Sequence, residues 1–265
     1  MIPFPAHPVL ILGASGKLGR ALARVWPVTA PRAIRQTRDG AGGTLAWDIL
    51  NSPAPPLPAL GGIIALAGVT KGTPDALAAN TGLALAAADL GAALGLRVLV
   101  ASTQAVYGAL QGDVPETAIP QPTSAYGHAK LAMEAAVAAP HVCCLRIGNV
   151  AGCGSLAGAM TDPPVKLDRF ADGQGPRRAI LGSADLAQVL LGAMAAPALP
   201  PVMNVARPGL LAMADLLDAV GVDWVWRPAA PGALPELALD VTLQQAICPL
   251  PAVDAAAIAA QDWPR

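Results

Sequence analysis

The sequence has few of the residues from which metal centres and disulfide frameworks are built. Its 265 residues include 3 histidines and 4 cysteines. Cys143 and Cys144 are adjacent, while Cys153 and Cys248 stand apart, so no metal-ligand spacing is present. We therefore expect no metal site, and we interpret the cysteines as free or buried thiols in a reducing compartment.

Excess charge and long apolar runs are also missing. The formal net charge of -1 leaves no basic surface of the kind that binds nucleic acid. No uninterrupted apolar run reaches the roughly 20 residues that a membrane-spanning helix needs. The first eight residues contain three prolines and no basic segment, which does not fit a signal peptide. We therefore expect a cytoplasmic protein that binds neither nucleic acid nor membranes.

What the sequence does have is a regular alternation of short apolar runs with helical stretches. Residues 9–12 and 63–67 are continuous apolar runs, which are typical of strands buried on both faces. The pattern predicts further strands at 32–37, 44–46, 97–101 and 142–146, and helices at 17–26, 75–94 and 124–138. This alternation indicates an α/β fold, a doubly wound parallel sheet with helices on both faces.

The pattern becomes less regular after residue 150. Residues 152–176 are rich in glycine and proline and are predicted to cover the ligand-binding site at the edge of the sheet. A late strand at 202–205 and a short helix at 213–220 follow. We therefore predict a dinucleotide-binding Rossmann domain over residues 1–150, leaving open whether the late strand joins it, and a small C-terminal substrate lobe over 151–265.

A glycine-rich turn joins the first predicted strand to the first predicted helix. In a dinucleotide site, Gly13 would permit the tight turn, Gly16 would let the backbone approach a pyrophosphate, and Gly19 would let the helix pack closely. The start of the helix would offer its N–H groups to the phosphates. A plain structural turn is the alternative. We predict that the dinucleotide contacts Gly13, Ser15, Gly16, Lys17, Leu18 and Gly19.

The end of the second predicted strand bears on the choice between NAD and NADP. An NAD site usually has an acidic residue there, which accepts a hydrogen bond from the ribose 2′-hydroxyl. This chain has Arg35, Thr37 and Arg38, with Asp39 next. A guanidinium favours a 2′-phosphate, so we expect NADP rather than NAD, chiefly because of Arg38. Solvated surface arginines are the alternative.

Further cofactor contacts are predicted beyond the third and fourth strands. Asp48 is a candidate acceptor for the adenine amino group, and an N-cap before Ile49 is the alternative role. Leu66, Ala67 and Gly68 follow the fourth strand. Because ligands of such sheets bind outside the carboxyl ends of the strands, we expect these residues to line the cofactor site as well.

Tyr126 and Lys130 stand four residues apart on a predicted helix and therefore share one face. The chain has only two tyrosines, so this placement is informative. A free phenol, with a pKa of about 10, is a poor base at neutral pH, but a nearby ammonium would lower that pKa. Thr103, which follows the fifth strand, would bind the reacting oxygen from the other side. We expect these three residues to be catalytic; a surface Tyr–Lys pair is the alternative.

These motifs resemble those of the extended short-chain dehydrogenase/reductase family, in its nucleotide-sugar epimerase/dehydratase branch. The similar segments are the glycine turn and residues 102–108, 122–130 and 145–152. The resemblance implies NAD(P)-dependent redox chemistry, with the catalytic hydroxyl at Thr103 and Lys130 bound to the nicotinamide ribose. It also implies that Asn149 contacts substrate, that Asn80 supports the nicotinamide pocket and that Arg178 binds a nucleotide-sugar phosphate.

The chain departs from the family pattern after residue 150. Residues 182–185 read GSAD where the family has His-Val-Asp-Asp, Ala151 stands where a tyrosine often follows the substrate asparagine, and the chain is short for this branch. We expect a reductase or epimerase acting on a sugar nucleotide or a smaller carbonyl compound. The alternative is a non-catalytic NADP(H)-binding sensor. A homodimer through the helices at 75–94 and 124–138 is compatible with the enzyme.

Overall fold

A computed structural model describes residues 6–153, 160 and 163–261 of the chain. The strands in these residues are β1 (Val9–Leu12), β2 (Ala33–Thr37), β3 (Leu45–Ala46), β4 (Gly62–Ala65), β5 (Val98–Thr103), β6 (Asp113–Val114), β7 (Val142–Ile147), β8 (Asn149–Val150), β9 (Val165–Arg169), β10 (Arg177–Arg178), β11 (Ile180–Leu181), β12 (Val202–Val205), β13 (Leu211–Ala212), β14 (Trp224–Pro228) and β15 (Glu236–Leu239). The α-helices are α1 (Lys17–Val25), α2 (Pro74–Leu94), α3 (Ala125–Ala136), α4 (Ser183–Ala195), α5 (Met213–Val220), α6 (Thr242–Ile247) and α7 (Ala255–Ala259).

The main sheet of the described chain has seven strands in the order β12-β7-β5-β4-β1-β2-β3. All of its pairings are parallel. Every residue of β1, β4 and β7 is buried, because parallel strands joined by helical crossovers are covered on both faces. The predicted doubly wound parallel sheet is confirmed, and the late strand β12 lies at its edge.

Alternate residues of β1 enter two different cores. Val9 and Ile11 pack with residues of α1 and α4 on one face of the sheet. Leu10 and Leu12 pack with residues of α2 and α3 on the other face. This alternation follows from the two-residue period of a strand. The helices α2 and α3 pack against each other, and a homodimer through these two helices stays a prediction.

Helix α2 is long and apolar enough to cross a membrane by length and composition. In this fold it is a flanking helix that contacts β4, β5 and α3. The Thr73 hydroxyl caps its first turn by accepting from the N–H of Ala76 at 3.3 Å, and Gly95 ends it in the left-handed conformation. Asn80, a polar residue of this helix, is fully buried. The cytoplasmic location of the protein stays a prediction.

Three smaller sheets complete the described fold. One has four strands in the order β13-β10-β15-β6, and the others are the pairs β8–β11 and β9–β14. Within the glycine- and proline-rich segment 152–176, residues 165–169 form β9, and the covering role of this segment stays a prediction. Strand β14 pairs with β9 from much later in the chain, and Val165 and Leu167 of β9 are buried because they pack with residues of α5 and α7. Residues 154–159 and 161–162 of that segment lie outside the described residues.

The chain beyond residue 150 returns to the main sheet. Helix α4, which the sequence patterns did not predict, packs on the same face as α1, and β12 pairs with β7. The division of the chain near residue 150 stays a prediction.

Strand β5, the fifth predicted strand, runs two residues further than predicted, because Thr103 continues the β-sheet pairing with Ile147.

Candidate active site

The carboxyl ends of four central strands meet at one edge of the main sheet. Gly13 follows β1, Leu66 follows β4, Thr103 ends β5 and Ile147 ends β7. In parallel sheets this edge is where ligands bind. At this edge the glycine turn lies against the segment after β4, and that segment lies against the helix that carries Tyr126 and Lys130.

The glycine turn is held in place by the strands on either side of it. Gly13 has a φ of 82°, and a Cβ there would lie 2.5 Å from the Cα of Ala67, so a larger residue would push β1 and β4 apart. The Gly13 N–H donates to the side-chain carbonyl of Gln36 at 2.9 Å. The Gln36 amide in turn donates to the Trp47 carbonyl. Sequence reasoning missed Gln36, whose role depends on partners remote in sequence.

The start of α1 is suited to an anion. Its N-cap is Gly16, with no side-chain capping bond and no acidic residue in the first turn, so N–H groups are available to a phosphate. Gly19 lies close to the turn, since a Cβ there would be 2.5 Å from the Cα of Ala14. These contacts fit a dinucleotide. Of the predicted contacts in this turn, Leu18 is half-buried and the exposed positions are Ser15, Gly16 and Lys17.

The three residues predicted to select NADP lie in different environments. The Arg35 guanidinium lies within 3.5 Å of the Ala23 carbonyl on α1. The Thr37 hydroxyl lies 2.6 Å from that of Thr44 and accepts from the N–H of Gly40, so it closes the β2–β3 connection. Arg38 is exposed. Of these predicted residues, Arg38 is the one whose side chain faces solvent at the end of β2.

Asp48 lies near Arg38 but is engaged in a turn. Its carboxylate accepts from the Asn51 side-chain amide at 3.0 Å and from the Leu50 N–H at 3.3 Å. The Asn51 hydrogen bond, with a smaller contribution from the Arg38 charge, lowers the pKa of Asp48. Ile49 is buried in the core beside α2. Asp48 therefore caps a turn and not the helix of the alternative role, because residues 49–51 form a turn, and an adenine contact stays a prediction.

Asn80 fixes the segment after β4. Its side chain accepts from the Val69 N–H at 3.1 Å and donates to the carbonyls of Val69 at 2.9 Å and Leu77 at 2.8 Å. A Cβ at Gly68 would lie 2.7 Å from the Asn80 side-chain oxygen and 3.4 Å from the Lys130 ammonium nitrogen. The predicted residues Leu66, Ala67 and Gly68 therefore connect the glycine turn to Lys130.

Helix α3 presents Lys130 to the end of β5. The Lys130 ammonium donates to the Ala101 carbonyl at 2.8 Å and lies 3.5 Å from the sulfur of Met133. Lys130 is 4% exposed, and this burial lowers its pKa to about 8, while electrostatic interactions with Cys144 and Glu134 oppose the shift. A buried amine with so low a pKa exchanges its proton near physiological pH.

Tyr126 is half-buried, and its phenol interacts with the Thr103 side chain. Burial raises the pKa of Tyr126, and the interaction with Thr103 opposes this shift. The expectation that the Lys130 ammonium lowers the pKa of Tyr126 is therefore not met in the free protein. Burial dominates because Lys130 directs its ammonium to the Ala101 carbonyl. The free protein therefore holds Tyr126 as a protonated phenol at neutral pH.

Sequence reasoning also missed a buried polar network behind this pair. Glu134, four residues after Lys130, accepts from the Arg146 guanidinium at 2.7 Å and from the Ser102 hydroxyl at 2.5 Å. Arg146 also donates to the Tyr107 hydroxyl, which donates to Asn204. The helical spacing of Lys130 and Glu134 was the available signal; the strand partners were not visible in the sequence.

The two predicted substrate residues lie at different places. Asn149, in β8, comes two residues after Ile147, the register partner of Thr103, so it is at the same sheet edge. Arg178, in β10, donates to the carbonyls of Leu234 and Pro235. Burial lowers the pKa of Arg178, and the charge of Asp168 opposes this. Its guanidinium supports a loop, and a phosphate contact stays a prediction.

A family model described as the NAD dependent epimerase/dehydratase family matches residues 60–206, which is more than half of the chain. The match contains Thr103, Tyr126 and Lys130, and the glycine turn precedes it. The chain has no significant match among curated proteins.

Solved structures share the fold across nearly the whole chain. An NAD-dependent NDP-hexosamine 5,6-dehydratase of tunicamycin biosynthesis superposes with a TM-score of 0.77 at 21% identity, covering 96% of this chain and 95% of that one. The UDP-glucose 4-epimerase of Stenotrophomonas maltophila, with bound NAD, gives 0.77 at 18% identity, covering 97% of each chain. That of Bifidobacterium longum, with NAD+ and UDP, gives 0.74 at 15%, covering 96% of each.

Proposed function

Because this chain belongs to the NAD dependent epimerase/dehydratase family, we propose that it catalyses reversible hydride transfer between a nicotinamide and a carbonyl or secondary alcohol. The observation that carries the proposal is the meeting of Thr103, Tyr126 and Lys130 beside the glycine turn. The Thr103 side chain interacts with Tyr126, and Lys130 lies next to Gly68 of the segment that contacts Gly13.

Each of the three side chains has a distinct role in this reaction. The bound nicotinamide would accept or return the hydride at the substrate carbon. In the direction of reduction, the protonated Tyr126 phenol donates its proton to the carbonyl oxygen, and in oxidation it takes that proton back. The Thr103 hydroxyl donates a hydrogen bond to the same oxygen. The Lys130 ammonium would bind the nicotinamide ribose.

We propose redox chemistry, as in a reductase or epimerase, and Glu134 does not take part in any dehydration. Elimination of water from a sugar requires a further acid or base beside the one that acts on the alcohol oxygen. The carboxylate that acts on Lys130 is that of Glu134, and it is already bound to Arg146 and Ser102. It is therefore not available for such a step.

The proposed substrate is a sugar nucleotide. The structural neighbours include epimerases of UDP-glucose and of UDP-glucuronic acid, and this fold similarity extends through the residues after 150. Asn149 at the site edge is the proposed substrate contact, and Arg178 is a proposed phosphate contact if its loop opens. A small carbonyl compound is the competing substrate class.

The proposed cofactor is NAD, in place of the NADP expected from the sequence. The family is described as NAD dependent, and the neighbours were solved with NAD. Arg35 lies against the Ala23 carbonyl, whereas Arg38 is exposed at the end of β2, so of these two arginines Arg38 is the remaining candidate for a 2′-phosphate. Calorimetric titration should give tighter binding of NAD; binding of NADP tenfold tighter than NAD would return the choice to NADP.

The function is tested by mixing the purified protein and NAD with a panel of UDP-sugars. NMR of the sugar detects epimerisation, and absorbance of reduced nicotinamide detects net oxidation. Cofactor that co-purifies with the protein and is regenerated in each turnover supports an epimerase, and released cofactor supports a reductase. Binding of NAD without hydride transfer to or from any sugar nucleotide or small carbonyl compound would contradict the proposal in favour of the sensor.

A further inference from the structure

A buried ion pair lies directly behind the Tyr126–Lys130 face of α3. Glu134 and Arg146 have side chains that are each 6% exposed, with 2.7 Å between Oε2 and Nη2. The Arg146 Nε lies 3.2 Å from both carboxylate oxygens, and the Ser102 hydroxyl donates to Oε1 at 2.5 Å. The Glu134 carboxylate is thus bound from β5 and from β7 at once.

This carboxylate connects the elements that carry the three proposed catalytic residues. Ser102 immediately precedes Thr103 on β5, and Glu134 lies on α3 with Tyr126 and Lys130. The bond between Ser102 and Glu134 therefore joins the end of β5 to α3 next to the place where the Thr103 and Tyr126 side chains interact.

Arg146 is engaged on its other side by protein groups. It donates to the Tyr107 hydroxyl at 2.9 Å and to the Glu116 carbonyl at 3.3 Å, and Tyr107 donates to Asn204 at 2.8 Å. The guanidinium is also within 4.8 Å of the centre of the Tyr107 ring. These contacts fix the arginine against Glu134 and leave it no approach to a substrate.

The groups around Lys130 come from every element that packs on it. They are the Ala101 carbonyl on β5, the Cys144 thiol on β7, Met133 and Glu134 on α3, and Asn80 of α2 across Gly68. Burial raises the pKa of Cys144 to about 12, so this thiol is uncharged at neutral pH. Among these groups, Glu134 is therefore the one whose negative charge favours the ammonium.

We propose that Glu134 is a positioning residue that, clamped by Arg146 and Ser102, fixes α3, and with it Tyr126 and Lys130, against the end of β5. Its effect on Lys130 is a property of the free protein. Its role in the reaction rests on the proposed function. Removing the carboxylate lets burial act unopposed, so Lys130 loses its proton at a lower pH.

The direct test is a titration of Lys130 without cofactor. Lysine labelled with ¹³C at Cε gives few NMR signals, because the chain has four lysines: Lys17, Lys71, Lys130 and Lys166. The variant Lys130→Arg identifies the signal. We expect the pKa of Lys130, about 8 in the wild type, to fall by about 1 unit in Glu134→Gln, a shift typical of losing a neighbouring opposite charge.

Two further variants keep the test decisive. Glu134→Gln/Arg146→Met removes both charges and protects the fold if the single variant unfolds, because an intact pair is less costly to remove than one partner. Because the Arg146 charge that disfavours the Lys130 ammonium is lost too, the pKa of Lys130 should fall by less in this double variant than in Glu134→Gln. Glu236→Gln breaks the exposed pair with Arg177 and should leave Lys130 unchanged. An unchanged pKa of Lys130 in the folded Glu134 variants would overturn the proposal.

The reaction supplies a second readout. If the ammonium is required, the alkaline limb of the kcat/KM profile should move to lower pH in Glu134→Gln, and Glu134→Asp should restore it in part. If the pKa of Lys130 falls in Glu134→Gln but the alkaline limb of the kcat/KM profile does not move, the proposed role of Glu134 in the reaction is wrong. Absence of turnover by the wild type would instead count against the proposed function, while the cofactor-free titration would still decide what Glu134 does to Lys130.

Discussion

The main sheet and the smaller sheets, which are formed mostly by residues after 150, place their charges differently. In the main-sheet region the ion pairs Glu134–Arg146 and Asp185–Arg207 are buried, with side chains 6–7% exposed. In the smaller sheets the pairs Arg177–Glu236 and Arg227–Asp168 include arginines 48% and 53% exposed. Buried pairs fix geometry, since breaking one leaves an uncompensated charge, whereas exposed pairs contribute little.

The strands show the same contrast. The strands β1, β4 and β7 are buried along their whole length, whereas β14 is largely exposed, with Trp226 at 38% and Val225 at 44%. The proposed proton-transfer residues lie on the buried main sheet and on the helix packed against it. The proposed substrate residue Arg178 lies in one of the smaller, more exposed sheets. A fold arranged in this way keeps its chemistry fixed while its substrate contacts can vary.

The largest effect expected from this contrast is on stability when one arginine of each kind is removed. Arg146→Met leaves Glu134 buried without its cation and should lower the free energy of unfolding by about 4 kcal/mol. Arg177→Met should lower it by less than about 1 kcal/mol. Urea denaturation of both variants checks this. Equal losses in the two variants would remove the distinction between the regions.

A smaller effect is expected at two glycines with positive φ. Gly13 has a φ of 82° and Gly232 a φ of 79°. A Cβ added at Gly13 would collide with Ala67, whereas a Cβ added at Gly232 would meet open space. Gly13→Ala should cost about 3 kcal/mol through combined strain and contact, and Gly232→Ala about 1 kcal/mol through strain alone. Gly13→Ala should also abolish NAD binding by calorimetry, whereas Gly232→Ala should leave the Kd unchanged.

The smallest of the three effects is a gain. At neutral pH Lys130 is buried as an ammonium, so Lys130→Met should raise the free energy of unfolding by about 2 kcal/mol. The pKa of Lys130 is about 8 in the folded chain against an ordinary 10.5. The unfolded chain therefore binds more protons between these values, and wild-type stability rises with pH there. The advantage of Lys130→Met should shrink across that window; a constant advantage would argue against the lowered pKa.

Local sequence patterns were sufficient for the main sheet and for the positions of the proposed chemistry. Apolar runs such as 9–12 predict buried strands from neighbours in sequence, and the four-residue spacing of Tyr126 and Lys130 predicts a shared helix face. The same reasoning could not find β9, since its partner β14 lies far along the chain. It also could not find the contacts of Gln36 and Glu134, which depend on strands that meet only in the fold.

The direction of the pKa of Tyr126 was predicted wrongly for a physical reason. The sequence places an ammonium near the phenol, but it does not give the extent of burial or the direction of the Lys130 side chain. In the structure burial raises the pKa of Tyr126, and Lys130 donates to Ala101. The preference for NADP likewise followed from the presence of arginines, while the structure commits Arg35 elsewhere.

The measurement that tests the central claim most directly is the turnover of Tyr126→Phe on a UDP-sugar that the wild type converts. The matched control is His128→Ala, which changes an exposed residue of the same helix. We expect kcat to fall by at least about 10²-fold in Tyr126→Phe, because the proton donor is lost, with NAD binding retained, and to stay near wild type in His128→Ala. Near wild-type turnover by Tyr126→Phe would contradict the account.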